Sequence, residues 1–140
     1  MSSSNILIGK RVLLVNDNAF VLDAMNMLLT EHLGAEVTTA INGKQGLEML
    51  QRGQAIGSPF DLVVTDIEMS PLNGIGLMSQ MGLLGLVTPT VVTSGNLSKY
   101  NDELGKFRPH ILYKALQAPY STEEFTTAVT GALKLEPVAV

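Results

Sequence analysis

No cysteine occurs in the chain, which excludes disulfides and thiolate-held metals. Tryptophan is absent too, and aromatic residues make up only 5% of the 140 positions. With no glycine-rich phosphate loop and no aromatics placed to stack on an isoalloxazine ring, a flavin-carrying redox protein is poorly supported. Charge is scarce as well: 16% of residues are charged, against roughly 25% in an average soluble domain, which leaves apolar surface for a partner. Net charge is -4 with no basic run, so the electrostatic footprint of a nucleic-acid binder is missing. Met1-Ser2-Ser3-Ser4-Asn5 offers neither a cationic start nor a long apolar stretch, which argues against secretion and makes the cytoplasm the expected compartment.

The longest deficit runs from Met69 to Ser98, thirty positions without a charge. Ser79, Gln80, Thr88 and Pro89 interrupt it, so no eighteen-residue apolar window survives and no membrane span is expected. The segment reads as helix, turn and buried strand. It also motivates an expectation of self-association into a homodimer through the third helix.

What is present is a regular alternation. Apolar strands are expected at Arg11–Val15, Glu36–Ala40, about Phe60–Thr65, Thr90–Thr93 and His110–Tyr113. Helical spacing fills the gaps at Ala19–Leu33, from Asn42 to near Gly53, at Asn73–Leu84, more weakly at Asn96–Phe107, and after the capping box Ser121-Thr122-Glu123-Glu124. Arg108-Pro109 should break the fourth helix, and the tail from Glu136 to Val140 should fray. Five strand–helix alternations mean one α/β domain, a parallel sheet covered on both faces. Its expected limits are 10–135, with tails at 1–9 and 136–140.

The strand Leu62-Val63-Val64-Thr65 delivers Asp66 to its C-terminal end, where parallel sheets keep their ligand sites. Asp17, Thr93 and Lys114 are expected at the ends of the first, fourth and fifth strands. Two carboxylates and a backbone carbonyl offer hard oxygens to Mg²⁺, and a lysine with a hydroxyl suits a phosphoryl group. A carboxylate can itself act as the nucleophile. His32 and His110 have no ligand-spaced partners and read as structural or surface residues, and the seven methionines as core filler.

Asn16-Asp17, the run Asp66-Ile67-Glu68-Met69-Ser70-Pro71-Leu72-Asn73-Gly74, Thr93-Ser94 and Lys114, separated by 49, 27 and 21 residues, together resemble the response-regulator receiver domain of two-component signalling. The single-domain and hybrid-kinase types both fit. The resemblance implies a flavodoxin-like, doubly wound five-stranded parallel sheet in the order 2-1-3-4-5. It implies that Asp66 takes a phosphoryl group from a histidine kinase or histidine phosphotransfer protein, so that the chain is a phosphoacceptor and not an enzyme in the ordinary sense. Asp17, Asp66 and the Glu68 carbonyl would hold Mg²⁺, Asn16 would reach it through water, Lys114 would contact the phosphoryl oxygens and Thr93 would swing toward them. The output would be contact with a downstream protein effector, with no direct nucleic-acid binding and no membrane.

The chain also departs from the family pattern. Asn16 replaces an acid, Ala115 stands where a proline usually follows the lysine, and Ile111 stands where an aromatic often reports phosphorylation. Ala118-Pro119-Tyr120-Ser121 resembles the family's lysine-proline-aromatic-serine run, a register that would put alanine in the lysine slot. Lys114 is preferred for its distance from Thr93 and its place after an apolar strand, with Gln117 to Tyr120 as a loop extension. Asn16, Ala115 and the uncharged segment from Met69 to Ser98 also motivate an alternative, a receiver-like interaction module that works without phosphorylation.

Overall fold

The computed structural model describes residues 5–107 and 111–134. The expected break at Arg108-Pro109, His110 and the tail from Glu136 lie outside the described residues. Five strands, β1 (Arg11–Val15), β2 (Glu36–Ala40), β3 (Leu62–Asp66), β4 (Thr90–Ser94) and β5 (Leu112–Gln117), form one parallel sheet in the order 2-1-3-4-5. Five helices connect or flank them: α1 (Ala19–Met27), α2 (Gly43–Ala55), α3 (Gly74–Leu83), α4 (Asn101–Gly105) and α5 (Thr122–Ala132).

The period-2 pleat divides the apolar residues of the central strands between two cores. Leu13, Val15, Val63 and Val92 face α2 and α3, where Leu50, Leu77, Met78 and Met81 are buried against them. Val12, Leu14, Val64 and Val91 face α1 and α5, where Met25, Leu29, Phe125 and Val129 close the second core. Each such fully buried aliphatic or aromatic side chain stabilises the fold by about 1.5–3 kcal/mol. Leu7, placed in a tail by the sequence reading, is wholly buried in the second core and its N–H donates to the Leu33 carbonyl.

Local chemistry sets the helix ends. The side-chain oxygens of Asn18, Asn42, Asn73 and Ser121 accept from the first-turn amides of α1, α2, α3 and α5, satisfying donors that have no partner inside the helix. Ser121 and Glu124 complete the expected capping box. The first helix widens into a π-turn at Leu28–His32, and Gly34, at φ +81°, stops it in a conformation that costs glycine nothing.

Two expectations about the C-terminal third need correction. The helix expected from Asn96 to Phe107 is only a 3-10 turn, Leu97–Tyr100, followed by the short α4. The fifth strand is shifted toward the C-terminus. Leu112 pairs with Thr90 but Lys114 pairs with Val91, so Tyr113 is an extra residue in a bulge, and pairing continues through Ser94 with Gln117.

Candidate functional site

The C-terminal ends of β1, β3 and β4 bring three of the four expected groups together. Asp66 is the last residue of β3 and pairs with Thr93 on β4. The Ile67 N–H donates to the Thr93 carbonyl at 2.9 Å, and the Thr93 hydroxyl donates to Asp66 Oδ1 at 3.2 Å. On the other side, Asn16 follows β1 and is buried, 4% exposed. Its side-chain oxygen accepts from the Asn18 N–H at 2.8 Å, which curls the β1–α1 loop and leaves Asp17 exposed at the rim.

Asp66 is half-buried in a negative neighbourhood. Loss of hydration is the largest influence on its carboxyl and, with the charges of Glu68 and Asp17, raises its pKa from 3.8 to about 6, against the lowering effect of the Thr93 hydrogen bond. Among the described residues, no three His, Asp or Glu side chains are arranged to hold a metal by themselves. Two carboxylates with a main-chain oxygen form a hard, anionic donor set of the kind that suits Mg²⁺ completed by water. The charges of Glu68 and Asp17, which add to burial in raising the Asp66 pKa, are the observation by which these residues fit such an ion.

The loop after β3 is tightly built. The Ser70–Pro71 peptide is cis, Leu72 sits at φ +68°, and the Gly74 N–H donates to the Ile67 carbonyl at 2.9 Å.

Lys114 does not reach this rim. It is exposed, three residues short of the Ser94 partner Gln117, and lines a groove against α5 with Glu123, Glu124 and Thr127. The residue beside the site is Ala118, whose N–H donates to the Ser94 carbonyl at 2.8 Å and whose peptide to Pro119 is cis. The alanine register of Ala118-Pro119-Tyr120-Ser121 is therefore the one adopted. The position three before the slot becomes Ala115 instead of Ile111, and neither is aromatic.

Sequence reasoning assigned no role to several polar groups that the fold gathers here. The Ser94 hydroxyl donates to the Glu68 carboxylate, at 2.9 Å to Oε2 and 3.1 Å to Oε1, and accepts from the Asn96 N–H at 2.9 Å. The Tyr100 phenol lies beside the same carboxylate; partial dehydration first and the Glu68 charge second hold it above the usual tyrosine range. Gln117 spans the gap from the other side: its amide nitrogen donates to the Gly95 and Ala118 carbonyls at 2.9 and 2.7 Å, and its oxygen accepts from the Leu97 N–H at 2.9 Å. The one signal in the sequence was the cluster of Thr93, Ser94 and Asn96 at the end of the fourth apolar strand.

Comparison with known proteins agrees with the fold. The profile of the response regulator receiver domain matches residues 12–129. A probable transcriptional regulatory protein of Picosynechococcus sp. is 38% identical over 68% of this chain and 38% of its own length. The sensor histidine kinase CheAY of Helicobacter pylori is 31% identical over 74% of this chain and 13% of its own. This chain thus spans less than two fifths of the length of either relative. Among solved structures, a receiver domain protein of Clostridium thermocellum superposes with a TM-score of 0.74 at 20% identity, over 89% of this chain and 94% of that one. The receiver domain of a Pseudomonas aeruginosa sensor histidine kinase, described with a magnesium ion coordinated in its active-site cleft, gives 0.76 at 19% identity, over 90% and 98%. The profile match over most of the chain, on a sheet of this order, shows that the chain belongs to the response regulator receiver domain family.

Proposed function

We propose that Asp66 accepts a phosphoryl group from a histidine kinase or histidine phosphotransfer protein in a Mg²⁺-dependent reaction, and that the phosphorylated domain signals through protein contacts. The observation that carries this reading is the convergence of Thr93 and Asp17 on Asp66. With a pKa of about 6, Asp66 is mostly ionised at neutral pH, as a nucleophile must be. One of its oxygens accepts from Thr93 and the other is left to attack phosphorus. The O–P bond forms as the P–N bond of the donor phosphohistidine breaks, and the imidazole leaves with a proton. Mg²⁺, when bound, would neutralise charge on the phosphoryl oxygens. Asp17, Asp66 and the Glu68 carbonyl are the groups that would hold it, with Asn16 in the outer layer. With Lys114 turned to the α5 groove, Thr93 is the side-chain donor beside Asp66 among the described residues.

The surface beside Asp17 suits a protein donor. Phe20 is 88% exposed, and a groove of about 800 Å³ runs between α1 and α5 past Met27, Tyr120 and Phe125. No described helix is long and apolar enough to cross a membrane. A cytoplasmic location and an effector that is a protein, not a nucleic acid, go with this reading. Self-association also belongs to the proposal. Leu83, Leu84 and Val87, 78%, 48% and 70% exposed, are what the charge-free segment leaves uncovered at and just after the end of α3.

Ala118 in the lysine slot favours a second reading, a phosphorylation-independent interaction module. Incubation with acetyl phosphate, with and without Mg²⁺, separates the two by mass. One added phosphoryl group that requires both Mg²⁺ and Asp66, and is absent from Asp66→Asn, supports the first. No addition to folded protein supports the second.

A further inference from the structure

Glu68 belongs to the site twice. Its main-chain carbonyl is one of the oxygens turned over to the metal in the proposed function. Its carboxylate reaches the opposite way and holds the Ser94 hydroxyl at 2.9 and 3.1 Å, with the Tyr100 phenol beside it. Ser94 ends β4 and Tyr100 ends the 3-10 turn, so the Glu68 side chain is bonded to one end of the segment leading into α4 and lies beside the other. Gln117 fastens the same segment to the end of β5 through Gly95 and Leu97.

The two attachments are unlike in kind. Those of Gln117 are neutral, amide to main chain, and involve neither Asp66 nor a proposed metal ligand. Those of Glu68 are made by a carboxylate, and hydrogen bonds to an ionised acceptor are roughly twice as strong as neutral ones and respond to local charge. A cation drawing on the Glu68 carbonyl acts on the residue whose carboxylate holds Ser94 and Tyr100. The lysine and aromatic that would offer other routes out of the site are absent, with Ala118 and Ala115 in those places.

We infer that Glu68 is the positioning residue that passes the occupancy of the Asp66 site to the Leu97–Tyr100 turn and α4, with Gln117 as the fixed anchor about which that segment moves. The inference rests on the proposed use of the site, since it requires that Mg²⁺ bind there. Glu68 is exposed, so its replacement leaves both cores intact, and Glu68→Ala keeps the main-chain carbonyl while deleting the carboxylate.

The test follows backbone amide shifts of the full chain by NMR as Mg²⁺, and then Mg²⁺ with beryllofluoride, is added to saturation. In the wild type, shifts are expected at Asp17 and Ile67 and also from Leu97 to Tyr100. Glu68→Ala keeps the carbonyl but removes one charge from the rim. In it the first group should still shift once a higher Mg²⁺ concentration saturates the site and the second be lost, while Glu68→Gln, which keeps an acceptor oxygen for Ser94, should restore part of the second. Tyr100→Phe should weaken the response at the turn and leave Asp17 and Ile67 unchanged. If Leu97 to Tyr100 still respond in Glu68→Ala, or never respond in the wild type although Asp17 and Ile67 do, the coupling role is overturned and the phosphoacceptor reading survives. No response at Asp17 or Ile67 overturns both.

Discussion

A Cβ built on Gly74 would lie 2.5 Å from the main-chain oxygen of Asp66, and 3.0 Å from the Ile67 Cα. The start of α3 is therefore pressed against the strand end that carries the acceptor, at a distance only glycine allows. Both obstacles are backbone, which cannot step aside as a flexible side chain can. Gly74→Ala should cost on the order of 2 kcal/mol, within the range for overpacked sites, and displace the loop that positions Glu68. Gly105→Ala, with nothing within 4 Å of the added carbon, serves as the control and should be neutral or slightly stabilising. Urea unfolding of the two variants checks the contrast; equal midpoints would show that the close approach relaxes without cost.

Asp66 gives the domain a pH dependence opposite to that of a salt-bridged carboxylate. Its folded-state pKa of about 6 lies above the ordinary 3.8, chiefly through burial. The native chain thus holds this proton over a window in which the unfolded chain has released it. Stability from this group is full below that window and declines as pH rises through it. Asp66→Asn should flatten the decline and raise stability at neutral pH, and saturating Mg²⁺ should flatten it in the wild type by favouring the ionised form. Urea midpoints at roughly pH 4.5 and 7.5 provide the measurement. A wild-type midpoint that falls over this interval by the same amount as in Asp66→Asn, or that does not fall, would assign the pH effect elsewhere.

The sheet was legible because burial on both faces forces near-continuous apolar runs, and Val12–Val15, Leu62–Val64 and Val91–Val92 all have them. The helix starts were legible because Asn18, Asn42, Asn73 and Ser121 are good acceptors for unpaired amides. Asp66, Asp17 and Thr93 followed, since each sits where a run ends. Lys114 was misplaced for a physical reason: counting residues from Thr93 assumes unbroken pairing, and the Tyr113 bulge consumes one residue without advancing the register. The strand then continues through Ala115 and Leu116 to Gln117, past the point where an exposed lysine suggested its end. Ser94 and Tyr100 meet Glu68, and Gln117 meets Leu97, across separations of 20 residues or more, which spacing within a single element does not reveal.

Asn16→Asp tests how the weakened acidic pair limits metal binding. Asn16 already points its oxygen at the Asn18 amide, and a carboxylate can keep that bond, so the loop should hold its shape. The added charge joins Asp17 and Asp66, and Mg²⁺ affinity rises with ligand charge in sites of this kind. Mg²⁺ should therefore bind several-fold more tightly than to the wild type, while Asp17→Asn should bind several-fold more weakly. Titration calorimetry or amide shifts supply the constants; no change in either variant would place the metal away from this rim.

Ala118→Lys and Lys114→Ala together test the register of β5. The Ala118 N–H is held by the Ser94 carbonyl, so its position relative to Thr93 and Asp66 is fixed by the sheet. A lysine there would bring an ammonium to a rim that holds three carboxylates, lower the Asp66 pKa and add a donor for the phosphoryl oxygens. A single well-placed donor is worth roughly a hundredfold in rate in comparable acyl and phosphoryl chemistry, so phosphorylation by acetyl phosphate should accelerate by about ten- to a hundredfold. Lys114 lies against α5, and its removal should leave that rate unchanged while loosening the groove beside Glu123 and Glu124. If instead Lys114→Ala abolishes phosphorylation and Ala118→Lys does nothing, the pairing of Ser94 with Gln117 does not describe the working site. The whole of β5 would then have to slide by two residues or more along β4 to bring Lys114 opposite Thr93, where Leu116 now pairs.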